Sequence, residues 1–309
     1  MKAPLRLLSF SLLFTALEVL ALPSFASAAP TLEETYAAQG RLIVAHFASA
    51  PFPHPARAVG HTYDGQLYTA KEHYADNTVA LFIPKGFRAS ERVDFVIHFH
   101  GWRNTVAGTL ATYHLIEQLV ASGKNAVLVV PEGPHDAPDS FGGKLEDADG
   151  FKRFMAEVVA TLRARAGFTK NAPDFSVGRI ILSGHSGGYH VIAGILERGG
   201  LPKNADEVWL FDALYGQTDS YLKWSDQTRG RLLNIYTDHG GTKDESEKLQ
   251  ARLKTRGTSI HAAEETALAA DKLQAGQFVF LHTDLAHDDV LDKRHEFELF
   301  LKTSGLADR

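Results

Sequence analysis

Residues 179–189 constrain this chain more than any other stretch, because they carry a buried strand straight into a helix through a serine hedged by glycines. A largely apolar stretch spans 177–182, interrupted by Arg179, then Gly184, His185, Ser186, Gly187 and Gly188 follow, and a helical pattern runs over 189–196. Such a turn lifts a serine hydroxyl out of a sheet, and its glycines leave room where side chains would collide. The Gly187 amide, at the helix start, then faces negative charge developing beside Ser186 and supplies half of an oxyanion hole. The pattern is that of a nucleophile elbow.

The rest of the chain alternates in the way this turn requires. Residues 78–83, 93–99, 126–130, 208–211, 232–236 and 278–281 read as short apolar strands. Residues 106–121 predict a helix with Leu110, Tyr113, Ile116, Leu119 and Val120 on one face, and 149–165 predict another. Apolar strands alternating with amphipathic helices predict an α/β fold. Its central sheet is mostly parallel, helices cover both faces, and ligands bind outside the carboxyl ends of the strands. Residues 219–230 and 243–254 are charged and read as solvated helix faces and loop. The segment between Asp212 and Arg231 is too short for a large lid, so a small or absent lid and modest soluble substrates are expected.

Lys2 and Arg6 precede an apolar run over 7–22, Pro23 ends it, and Ala26, Ser27 and Ala28 form a small-residue cleavage pattern. Residues 1–28 therefore read as a secretory signal peptide, which predicts a secreted or periplasmic protein. The run is shorter than the ~20 residues a bilayer needs and contains Glu18, so no membrane span is expected in the mature form. Residues 29–62, with an amphipathic stretch over 32–47, read as an N-terminal extension packed on a single domain over 63–309. A net charge of −5 with no basic run argues against nucleic acid as a partner, and the absence of cysteine excludes disulfides and thiolate chemistry.

On the elbow and the strand order, the chain resembles the α/β-hydrolase superfamily, in its secreted serine esterase and lipase type, from about Thr78 to the C-terminus. The resemblance implies the chain order serine, acid, histidine. Upstream, His98-Phe99-His100-Gly101-Trp102 resembles the lipase and esterase His-Gly motif. In that family the amide after the glycine completes the oxyanion hole, which assigns Trp102 opposite Gly187; losing one such donor typically costs ~3 kcal/mol. Trp102 and Arg103 stand where the glycine-rich form has further glycines. Trp102 is placed to roof a pocket, and Arg103 either binds a substrate carboxylate or pairs with a surface acid.

His287, in the loop after the last strand, takes the place of the base. His282 and His295 are read as structural, and His185 as a residue that shapes the elbow. The acid is Asp212 or, as the alternative, Asp238, with Asp288 and Asp289 as the remainder. Asp238 follows the second strand after the elbow, the usual superfamily position. Asp212, flanked by Phe211 and Leu214, is costly to bury without a cationic or donor partner such as an imidazolium. His98 and His100 share a strand face, but residues 101–104 add no Asp or His, so no metal and no cofactor are expected; the two histidines flank the oxyanion turn, and His100 joins His185 as a candidate substrate contact. The long connection over 131–146 leaves the same sheet edge, with Phe141 and Lys144 as candidate substrate contacts. The resemblance implies a small-molecule carboxylic ester, cleaved through an acyl-enzyme. A peptidase or amidase on the same scaffold, or a non-catalytic binding protein of the same fold, are the alternatives.

Overall fold

Eleven strands organise the described residues, 29–167, 174–267, 273 and 278–309 of a computed structural model. In chain order they are β1 (Gly40–His46), β2 (His61–Tyr63), β3 (Gln66–Tyr68), β4 (Thr78–Pro84), β5 (Arg92–Phe99) and β6 (Val127–Pro131). They continue with β7 (Ser176–His185), β8 (Ala205–Phe211), β9 (Arg231–Thr237), β10 (Ile260–Glu264) and β11 (Phe278–Thr283). Strands β2 and β3 form a small hairpin sheet. The other nine make one sheet in the order β1-β4-β6-β5-β7-β8-β9-β11-β10. Pairing is antiparallel between β1, β4 and β6 and parallel from β6 to β10, so the expected mostly parallel sheet is present. The residues expected to form a signal peptide, 1–28, lie outside the described set.

Side-chain alternation sorts each strand between two apolar layers, one on either face of the sheet. Val79, Leu81, Phe95, Ile97, Ile180 and Leu182 enter one core with Phe151, Phe154 and Ile192 from flanking helices. Ala80, Phe82, Val96, Ile181, Trp209 and Phe211 enter the other with Leu115, Ile116, Phe297 and Phe300. Burying each large side chain contributes roughly 1.5–3 kcal/mol, which explains why both faces are so uniformly apolar.

Several elements differ from the sequence reading. The first strand comes from within 29–62, the stretch read as an extension; β1 pairs along its whole length with β4, and residues 31–309 form one compact unit. The helix expected over 106–121 is two helices, Val106–Thr112 and Leu115–Ser122, because His114 adopts φ 46°, a left-handed conformation that ends the first and reorients the second. At the C-terminus the helix spans Glu296–Thr303, while Val290 and Leu291 pack from the turn ahead of it. The charged run after Asp212 is not only solvated: the helix Thr218–Gln227 buries Tyr221, Leu222 and Trp224. Among the described residues, no helix is long and apolar enough to cross a membrane.

What positions the site is the reversal of strand order at β5. The chain crosses from β5 to β6 on one side and then returns to β7 on the other. A crevice opens outside the carboxyl ends at such a switch point. The parallel register sets Phe99 beside Gly184, His185 beside Phe211, and Thr237 beside Thr283. Gly101, Ser186, Asp212, Asp238 and His287 therefore all leave the same edge.

Candidate active site

Ser186 sits between β7 and the helix Gly188–Arg198 with φ 50°, a left-handed backbone that a non-glycine residue adopts at a cost of order 1–3 kcal/mol. The surroundings hold it there. Its amide donates to Phe211 O at 3.2 Å. A Cβ on Gly101 would lie 2.6 Å from Ser186 Cβ, and one on Gly188 would lie 2.6 Å from Phe99 O. The glycines thus let the β5 and β7 turns close onto each other, and the serine hydroxyl ends in a cavity of about 400 Å³.

Trp102 and Gly187 line that cavity together with Ser186, and among the described residues neither backbone amide is given to a protein acceptor. Trp102 also roofs the turn. Its indole Nε1 donates to Ser140 Oγ at 2.7 Å, and its ring lies where a Gly187 side chain would be, with Cδ1 2.8 Å from that position.

Asp212 follows β8, itself at φ 43°, with its side chain wholly buried. It accepts from His287 Nδ1 at 2.6 Å, from the Thr237 amide at 3.1 Å, from the Thr237 hydroxyl at 3.0 Å and from the Thr242 hydroxyl. Burial pushes its pKa up, but the bonds from His287 and Thr242 outweigh burial and hold it below the usual carboxylate value. With its Nδ1 proton directed at Asp212, His287 keeps the Nε2 lone pair free to accept another. No described hydrogen bond joins Ser186 Oγ to His287, though both line the cavity; in unliganded sites such contacts are often long. The Tyr215 phenol lies beside Ser186, and its pKa is pushed well up by burial and by the Asp212 charge.

Asp238, the alternative acid, is elsewhere. It pairs with Lys243 at 2.6 Å and with His282 Nε2 at 3.1 Å on an exposed turn. His185 is buried in the site, and burial followed by the neighbouring His287 lowers its pKa to about 4. It is therefore neutral: Nε2–H donates to the His287 carbonyl at 3.0 Å, and Nδ1 accepts from the Tyr113 hydroxyl at 3.2 Å. His185 thus fixes the loop that carries His287.

No family model matches the chain, and no curated protein matches it. Solved structures do. A ferulic acid esterase is similar at 12% identity and a TM-score of 0.55, over 85% of this chain and 98% of that one. A feruloyl esterase module from Clostridium thermocellum, complexed with sinapinate, is similar at 9% identity and a TM-score of 0.51, over 88% and 90%. The chain has the α/β-hydrolase fold.

Within this α/β-hydrolase fold, four of the candidate substrate contacts belong to the scaffold. Arg103 gives its amide to Ala137 O and lays its guanidinium over the Tyr68 ring at 5.6 Å, so it does not line the cavity. His100 is buried between Gly101 O and the Gly133 amide, 2.8 and 2.9 Å from its two ring nitrogens. Phe141 packs on Phe52, His54 and Arg57. Lys144 donates to Ala48 O at 2.8 Å. Each is drawn away by a nearer partner in the N-terminal segment or the loop itself. The walls are instead Tyr113, Ser140, Tyr189, Tyr215 and Asp288, with His185. Sequence reading missed Tyr113, Ser140, Tyr189 and Tyr215 as walls, and named Asp288 only as a remaining candidate for the acid. Tyr189 and Tyr215, one and three residues past the elbow and Asp212, were within reach of a search along the strand-end turns; Tyr113 and Ser140 carry no such signal.

Proposed function

We propose that this chain is an exported serine hydrolase that cleaves a carboxylic ester through an acyl-enzyme, with Ser186, His287 and Asp212 as its triad. Ser186 Oγ attacks the acyl carbonyl as His287 Nε2 takes its proton; the carbonyl oxygen becomes an oxyanion facing the Trp102 and Gly187 amides. The C–O bond to the alcohol then breaks, and His287 Nε2 returns the proton to the departing oxygen. Water, deprotonated by the same nitrogen, releases the acid and restores Ser186. The carrying observation is the 2.6 Å bond from His287 Nδ1 to a wholly buried Asp212, which fixes the tautomer this cycle needs. The names of the two similar solved structures support an ester rather than an amide. A cavity walled by Trp102, Tyr113, Tyr189 and Tyr215 supports a planar aromatic acid portion.

A fluorophosphonate should modify Ser186 at one equivalent, mapped by mass spectrometry, and abolish hydrolysis of p-nitrophenyl esters. Ser186→Ala should neither label nor turn over; labelling at another residue, or activity that survives the substitution, would reject the assignment. Export rests on the leader-like residues 1–28. Amino-terminal sequencing of exported protein should begin at Ala29.

A further inference from the structure

Outside the cavity, one group of side chains has no part in this chemistry. Glu132 follows the last residue of β6, His135 comes three residues later, and Asp76 lies two residues ahead of β4. His135 Nδ1 is 3.6 Å from Asp76 Oδ2 and 3.5 Å from Glu132 Oε1, and the three inward atoms lie within 4.8 Å of one another. Each carboxylate is aimed by the backbone. Asp76 Oδ1 accepts from the Thr78 amide at 2.8 Å, and Glu132 Oε2 from the Val106 amide at 2.9 Å, which turns the other oxygen of each toward the imidazole.

Glu132 decides what the cluster needs. Its side chain is 3% exposed, and among the described residues its inward Oε1 has no hydrogen-bond donor; His135 Nδ1 has no partner either. A buried carboxylate oxygen without a donor is costly. His100 Nε2 lies 3.4 Å from that oxygen, beyond the usual range of such a bond, and it is already engaged by the Gly133 amide at 2.9 Å while Nδ1 faces Gly101 O. A proton on His135 Nδ1 serves poorly: one N–H aims at only one oxygen, and both lie beyond the roughly 2.7–3.2 Å of such bonds.

A metal ion satisfies all three atoms together. Zinc bonds to nitrogen and oxygen of about 2.0–2.2 Å give tetrahedral edges of about 3.3–3.6 Å, which span the separations at His135. Calcium and magnesium favour all-oxygen sets, whereas imidazole with two carboxylates suits zinc. The side chains of His135 and Asp76 are about one-third exposed, which opens an entry path and a fourth position for water. We propose that Asp76, Glu132 and His135 bind one Zn²⁺, which clamps the start of the loop after β6 to the segment ahead of β4. This site stabilises the loop that delivers Ser140 to the cavity and does not depend on the hydrolase reading.

The test uses the purified protein, stripped with a chelator, dialysed and titrated with ZnCl₂ by calorimetry and elemental analysis. One equivalent should bind at this site, and the melting temperature should rise by about 5 °C at roughly a hundredfold excess over Kd. Both effects should vanish in His135→Ala and Glu132→Gln. They should persist in His287→Ala, which dismantles the other imidazole–carboxylate grouping, His185, His287 and Asp288. If Glu132→Gln does not fold, Asp76→Asn, at a partly exposed position, should show the same loss. No uptake by the stripped protein, uptake that survives His135→Ala, or an equal rise with Ca²⁺ or Mg²⁺ would overturn the proposal.

Discussion

Three neighbours converge on the Asp212 carboxylate: the Thr237 amide and hydroxyl, the Thr242 hydroxyl and the His287 ring. This density of donors lets a charged group sit where no solvent reaches it. Removing the charge while keeping the shape therefore tests its role. Asp212→Asn should lower kcat by ~10⁴ with KM nearly unchanged, since the carboxylate stabilises an imidazolium present only in the transition state. Asp238→Asn should stay within about tenfold of the parent rate, a loss under ~1.4 kcal/mol, because that residue answers to Lys243 and His282 on an exposed turn. Steady-state kinetics on both variants, with circular dichroism to confirm folding, decides between them; the reverse pattern would move the acid to Asp238. At this scale the sequence was readable for position: Ser186, Asp212 and His287 each come after a strand, and the structure brings them to one edge of the sheet. It was unreadable for Arg103, Phe141 and Lys144, whose directions depend on the separate partners Tyr68, Phe52 and Ala48.

The helix Glu296–Thr303 begins with a carboxyl group that is 1% exposed. Glu296 Oε2 accepts from the Arg294 amide at 3.2 Å, while Oε1 has no donor among the described residues. Burial, only partly offset by backbone hydrogen bonds, raises its pKa from 4.5 to about 7. A raised folded value means that the stability it contributes is complete below pH 4.5 and is lost as pH climbs through 7, a difference of up to about 3 kcal/mol. Glu296→Gln should therefore raise the melting temperature at pH 8 and change it little at pH 4.5, measured by calorimetry across that range; a pH-independent shift would contradict the linkage. The other elements show what a sequence can and cannot disclose. Strands buried on both faces, such as β6 and β9, announce themselves as apolar runs. The edge strand β10 does not, because its residues are only partly covered and alternate with exposed ones. The strand β1 was hidden for another reason: its apolar residues merge with those of the short helix Leu32–Thr35 into a spacing that mimics one amphipathic stretch.

Across the whole molecule, Arg231 joins parts far apart in the chain at the edge opposite the Ser186 cavity. Its buried guanidinium donates to Glu207 Oε2, to Leu273 O, and to the carbonyl and hydroxyl of Thr303, while Glu207 also accepts from the Trp209 indole and the Gly305 amide. Truncation leaves Glu207 buried without its counter-charge. Arg231→Ala should cost roughly 3–5 kcal/mol in urea unfolding while the folded fraction keeps its turnover rate; a loss below about 1 kcal/mol would show that the knot is slack. The distribution of tryptophans carries a different consequence. Trp209 and Trp224 are 0% and 3% exposed, whereas Trp102 is 42% exposed and overhangs Gly187. A collisional quencher such as acrylamide can then reach one indole of three, and that indole stands at the mouth of the cavity. Esterifying Ser186 with a bulky phosphonate should shrink the quenchable share of the emission, so the protein carries its own optical gauge of whether the Ser186 hydroxyl is occupied.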